Sequence, residues 1–190
     1  MLFKNYQLKK ESELFKIQNK FQKEWEKIEP KIMLSLSEIN ETFWFTNPKE
    51  IIALVSLNPI CPRDIKNKNF NVFYKQSIEE MKDTCIHELL HFIYFKKWKE
   101  VFPHSKEKEF DNPYLVWKLS EIVIPIILNE KRIQKIFEHK FKGYNEFEQI
   151  KIKGKLIRDS LQELYEDKEN FEDFLKKSYA FIKKHKSALP

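Results

Sequence analysis

Residues 84–95 read Thr84-Cys85-Ile86-His87-Glu88-Leu89-Leu90-His91-Phe92-Ile93-Tyr94-Phe95. Apart from His87, Glu88 and His91, every side chain in this stretch is apolar or stays neutral near pH 7, Cys85 and Tyr94 included. A helix apolar on most of its circumference is buried. Buried imidazoles and a buried carboxylate need partners. Positions i and i+4 share one helix face, so His87 and His91 can point at one metal ion. Glu88 lies about 100° round the helix from His87, given 3.6 residues per turn. From there it cannot easily ligate the same ion, but it can reach a water activated by it, the place of a general base. The five-residue pattern is expected by chance on the order of 0.01 times in a chain of this composition. The plainer alternative is a pair of hydrogen-bonded core histidines.

Such a site needs a third protein ligand and an open position. A Gly and a third His shortly after His91 would supply one, but Tyr94 and Lys97 stand there. A later glutamate remains. Glu121 is the only charged residue between Lys118 and Glu130. On a helical wheel Tyr114, Trp117, Ile124 and Leu128 fall within about 60° of it, so Glu121 projects from an apolar face towards the core. A dication would remove the cost of burying that carboxylate. A salt bridge, for instance to a C-terminal lysine, would do the same. Glu130 points to the other side of this helix. Asp111, Glu107, Glu109 and His104 sit in a solvated loop. Pro125 denies the Glu121 carbonyl its helical hydrogen bond, which should loosen the turn carrying the carboxylate.

The rest of the chain frames this pair of helices. An amphipathic helix is expected over residues 8–29, from Leu14, Ile17, Phe21, Trp25 and Ile28, with Pro30 ending it. A short second helix follows over Ile32 to Asn40. Ile51 to Leu57 reads as a buried strand, Asn58 to Asn69 as a loop, and Asn69 to Tyr74 as a second strand. Helix is expected from Ser77 to Trp98, a charged loop from Pro103 to Asp111, then helix from Pro113 to Leu128 with Asn112 as its cap. Glu130 to Lys186 is helical in pattern, broken near Gly143 and Asp167.

Composition narrows the class. The 190 residues suit a single domain, with residues 1–45 as a helical extension, 50–130 as the core and 131–190 as C-terminal helices. Hydrophobic residues make up 42%, with seventeen Phe and four Trp, enough for a sizeable core. The two glycines argue against phosphate-binding glycine loops and many-turned barrels. The net charge of +6 comes from lysines interleaved with glutamates, which describes a solvated surface better than a nucleic-acid face. A nucleic-acid partner is therefore not expected. Two cysteines make no disulfide scaffold. No secretory signal and no membrane span is read, so the expected location is cytoplasmic.

The H-E-x-x-H helix followed by a glutamate helix resembles the gluzincin metallopeptidases, and in size and layout the small minigluzincins. The resemblance covers roughly residues 50–130. It implies an α+β fold: a mainly helical zincin-like domain with a small mixed β-sheet on the active-site helix. It implies a Zn2+ cofactor held by His87, His91 and Glu121, Glu88 as general base, and a peptide or protein substrate. An edge strand would bind that substrate by strand addition, with Asn69 to Tyr74 the natural candidate. The family often places an acid four residues after the ligand glutamate to orient a histidine. Here Pro125 stands there, which leaves Ser120, Asn129 or a backbone carbonyl for that task. The oxyanion-stabilising residue of the family is left open among Tyr144, Tyr165, Tyr179, His139 and His185. Two other functions compete: a metal-binding but latent or inactive homologue, and a basic helical module that binds protein or nucleic acid.

Overall fold

A computed structural model describes residues 2–44 and 51–190, with side chains from residue 11 onward. The fold is α+β, mostly helical, with a three-stranded mixed sheet and a two-stranded sheet. The chain forms two compact units, residues 1–33 with 45–89, and residues 34–44 with 90–190. Among the described residues no helix is long and apolar enough to cross a membrane.

In the first unit, α1 runs Leu2–Glu26 and α2 begins at Glu29 and continues to Ile39. Pro30 does not close the first helix; it sits in the first turn of α2. The N–H that proline lacks would have no intrahelical partner there in any case. Strand β1 is Ile52–Ser56, β2 is Arg63–Asp64 and β3 is Asn69–Phe73, in the order β1-β3-β2. β1 pairs parallel with β3 and β2 pairs antiparallel with it. Two expectations are corrected by this order. Asn69–Phe73 is the central strand, not an edge. Among the described residues the strand found within Ile51 to Leu57 forms an edge rather than a buried strand, and Ile52 is 53% exposed. The β-branched run predicted strand correctly, but burial depends on what lies beyond the strand, which local sequence does not record. The polar loop expected over Asn58 to Asn69 also contains β2.

The alternation in β3 points Phe70 and Val72 into the unit, where both are buried. They line a cavity of about 480 Å³ together with Phe21 and Trp25 of α1 and Cys85 and Leu89 of the next helix. That helix, α3, spans Ile78–Val101. Its start is fixed by a capping box: the Glu80 amide donates to Ser77 Oγ at 3.2 Å, and the Ser77 amide donates to Glu80 Oε2 at 2.7 Å. Cys85 and Leu89 lie about 160–200° round α3 from His87, by helix geometry. The cavity and the histidine stripe therefore occupy different faces of the helix.

In the second unit, the later half of α3 is buried at Leu90, Phe92, Ile93, Tyr94, Phe95 and Trp98. A 3-10 turn, Glu107–Phe110, brings Phe110 to stack on Phe95 at 4.4 Å. Helix α4 is Leu115–Leu128, two residues shorter at its start than expected, with Tyr114 rather than Asn112 at the N-cap position and no side chain bonded there. It is buried from Leu119 through Leu128. After the short helices α5 (Lys131–Gln134) and α6 (Asn145–Glu148), a hairpin of β4 (Lys151–Ile152) and β5 (Lys155–Leu156) interrupts what reads in sequence as helix. Lys153 and Gly154 make its turn with φ of 51° and 86°. α7 (Ile157–Glu166) and α8 (Phe171–Lys184) complete the unit. Phe171, Phe174 and Leu175 are fully buried.

Candidate metal centre

The reason His91 points inward is the apolar character of its helix. Leu90, Ile93 and Tyr94 have no exposed surface, and His91 has none either. Its ring stacks on Phe95 at 5.5 Å, which restrains the imidazole plane. Glu121 is 1% exposed because α4 is buried on almost all sides, more completely than a single apolar face would suggest. His91 Nε2 lies 3.2 Å from Glu121 Oε1.

Two ligand atoms bound tetrahedrally at 2.0–2.1 Å stand about 3.3 Å apart, so that separation suits two donors sharing one small cation. His87 completes the group. One ligand atom from each of His87, His91 and Glu121 lies within 4.8 Å of the others. The donor set is two imidazoles and one carboxylate. Neutral nitrogen and anionic oxygen together suit zinc and related first-row dications, and three protein ligands leave a coordination position for water or substrate. The three residues that the sequence nominates are thus brought together.

Glu88 is 7% exposed and faces a cation of its own. Arg63 Nη1 approaches Glu88 Oε2 at 3.4 Å, with both side chains about nine-tenths buried. The distance is longer than the 2.7–2.9 Å usual for charge-assisted pairs, so the contact is a loose one. Arg63 belongs to β2, and sequence reasoning missed it. It lies 25 positions before Glu88 in a stretch whose prolines and polar residues read as loop.

Ser120 lies next to His91. Its hydroxyl is 3.4 Å from His91 Nδ1 and donates to the Trp117 carbonyl at 2.7 Å. Asn129 serves a different purpose. Its Nδ2 donates to the carbonyls of Pro125 and Phe141, and its Oδ1 accepts from the Phe141 amide. It ties down the end of α4 and the chain that follows.

The open aromatic candidates separate by position. Tyr165 bonds Glu130, Tyr179 packs on Trp98 and Phe102, His139 on Phe137 and Phe141, and His185 on Phe181. Tyr144 is 52% exposed and packs on Trp117, one turn before Glu121. Its neighbour Gly143 lies where a Cβ would meet Pro125 Cγ at 3.3 Å and the Glu121 carbonyl oxygen at 3.9 Å. Thus Tyr144 alone of the five belongs to the segment beside the ligand turn.

Comparison with protein-family models, with curated proteins and with solved structures finds no match for this chain.

Proposed function

We propose that this protein is a zinc-dependent metallopeptidase that holds its metal through His87, His91 and Glu121. The observation that carries the proposal is the convergence of these three donors, the buried His91 and Glu121 and the partly exposed His87, with Glu88 one residue from the last. Zinc held there would supply Lewis-acid polarisation of the scissile carbonyl and a water of lowered pKa. Glu88 would be the group that accepts a proton from such a water and passes it to the leaving amine. The burial of Glu88, His91 and Glu121 strengthens their electrostatic interaction with a bound cation.

The test is Glu88→Gln. The variant should keep its metal and lose peptide cleavage. If it loses the metal, Glu88 is a ligand rather than a base; if it cleaves normally, the base is another group.

The Arg63 pair favours a second reading, a metal-binding protein whose general base rests in an ion pair. Under that reading Arg63→Ala cleaves peptides faster than the wild type. Under the first reading it does not.

A further inference from the structure

We propose that Ser120 is the positioning residue that sets the tautomer of His91, turning Nε2 towards the metal. The inference rests on the metal-site reading and adds to it the group that orients one ligand. A serine hydroxyl has one proton and two lone pairs. Ser120 gives its proton to the Trp117 carbonyl at 2.7 Å, so what it offers His91 is a lone pair. The facing atom, Nδ1 at 3.4 Å, must then be the protonated nitrogen. A neutral ring protonated at Nδ1 carries its free lone pair on Nε2, the atom 3.2 Å from Glu121 Oε1.

That lone pair and the carboxylate oxygen repel each other unless a proton or a cation lies between them. The hydrogen bonds of Ser120 therefore prepare a donor atom beside a carboxylate, both on side chains with almost no exposed surface. Ser120 and His91 have no exposed surface, so water cannot substitute for the hydroxyl without the core opening. The relay runs Nδ1–H to Ser120 Oγ, and Ser120 Oγ–H to the Trp117 carbonyl. It fills the task that an acid at the Pro125 position would have filled. Groups of this kind orient a ligand imidazole and raise its basicity, and their loss commonly lowers metal affinity 10–100-fold.

The experiment combines two readouts on the full chain. Long-range ¹⁵N NMR, with His91 assigned through His91→Gln, shows which ring nitrogen is protonated in the metal-free and the zinc-loaded protein. Competition with a chelator measures zinc affinity in wild type, Ser120→Ala and Ser120→Thr. The expected result is a proton on Nδ1 in both states, affinity about 10–100-fold weaker in Ser120→Ala, and Ser120→Thr within about threefold of wild type. A neutral ring protonated at Nε2 overturns the inference, whether or not zinc binds, and so does unchanged affinity in Ser120→Ala. Failure of the wild type to bind zinc would instead defeat the metal-site reading, while the metal-free spectrum still decides the role of Ser120. Should Ser120→Ala misfold, the spectrum and the Thr variant carry the decision.

Discussion

Replacing Arg63 by alanine should destabilise the metal-free protein, because it leaves the Glu88 carboxylate buried without its guanidinium. The two side chains are 11% and 9% exposed, so solvent screens them little. Breaking a buried pair by removing one partner costs about 3–5 kcal/mol. The 3.4 Å separation places this pair at the low end, about 3 kcal/mol. For 190 residues the entropy of unfolding is about 0.4 kcal/mol per kelvin, so the loss corresponds to a fall in Tm of about 7 °C. Thermal unfolding followed by circular dichroism, in the presence of a chelator, measures it. The double-mutant cycle is the stronger form of the test. Glu88→Gln should lower Tm in the wild type, where it deprives Arg63 of its charge partner. In Arg63→Ala it should lower Tm by much less, because the pair is already broken. Equal effects of Glu88→Gln in the two backgrounds would show that the pair does not couple, and would refute the reasoning.

Other outcomes follow from single contacts. Burial pushes the Cys85 thiol far above the ordinary thiol range, with the Glu88 charge and then Cys61 adding to the shift. Burial also raises the Cys61 thiol, partly offset by the Phe73 backbone. At pH 8 in the folded protein Cys85 should resist alkylation while the partly exposed Cys61 reacts slowly, and both should react quickly in denaturant; mass spectrometry of the labelled chain reads the order, and prompt native labelling of Cys85 would contradict the buried placement. Asn129→Ala removes three hydrogen bonds and strands the Phe141 amide in a residue only 4% exposed. It should cost about 2–3 kcal/mol in chemical denaturation, and a cost under about 0.5 kcal/mol would mean that water replaces the side chain.

The His87, His91 and Glu121 cluster was legible because its information is local and chemical. His87 and His91 are one turn apart, and Glu121 stands out as a lone charge in an apolar helix. Period and polarity alone indicate where those three side chains point. What stayed hidden depends on contacts between distant positions. Arg63 reaches Glu88 only because β2 joins β3, and two residues with polar neighbours give no strand signal. Ile52 and Leu54 look like core residues by type, yet their strand is an edge and both are exposed. The β4–β5 hairpin does leave a local mark, Ile150 to Lys153 alternating at period two with Gly154 at the turn, but strands of two residues are too short to stand out from the helical pattern on either side. The choice of Ser120 over Asn129 as the partner of His91 could not be made from sequence, since both are short polar side chains on the same helix. It is settled by which of them faces α3.

The central claim is that one metal ion is shared by His87, His91 and Glu121. The most direct test is the zinc content per chain, measured by mass spectrometry of the metal in wild type, His87→Ala and Glu121→Ala after reconstitution and removal of loosely bound ions. The account predicts about one zinc per wild-type chain, as three protein ligands and one open position require, and loss or severe weakening in both variants. A wild-type protein that takes up no zinc would contradict it, and would leave His91 and Glu121 as a buried polar pair in the core of a helical protein.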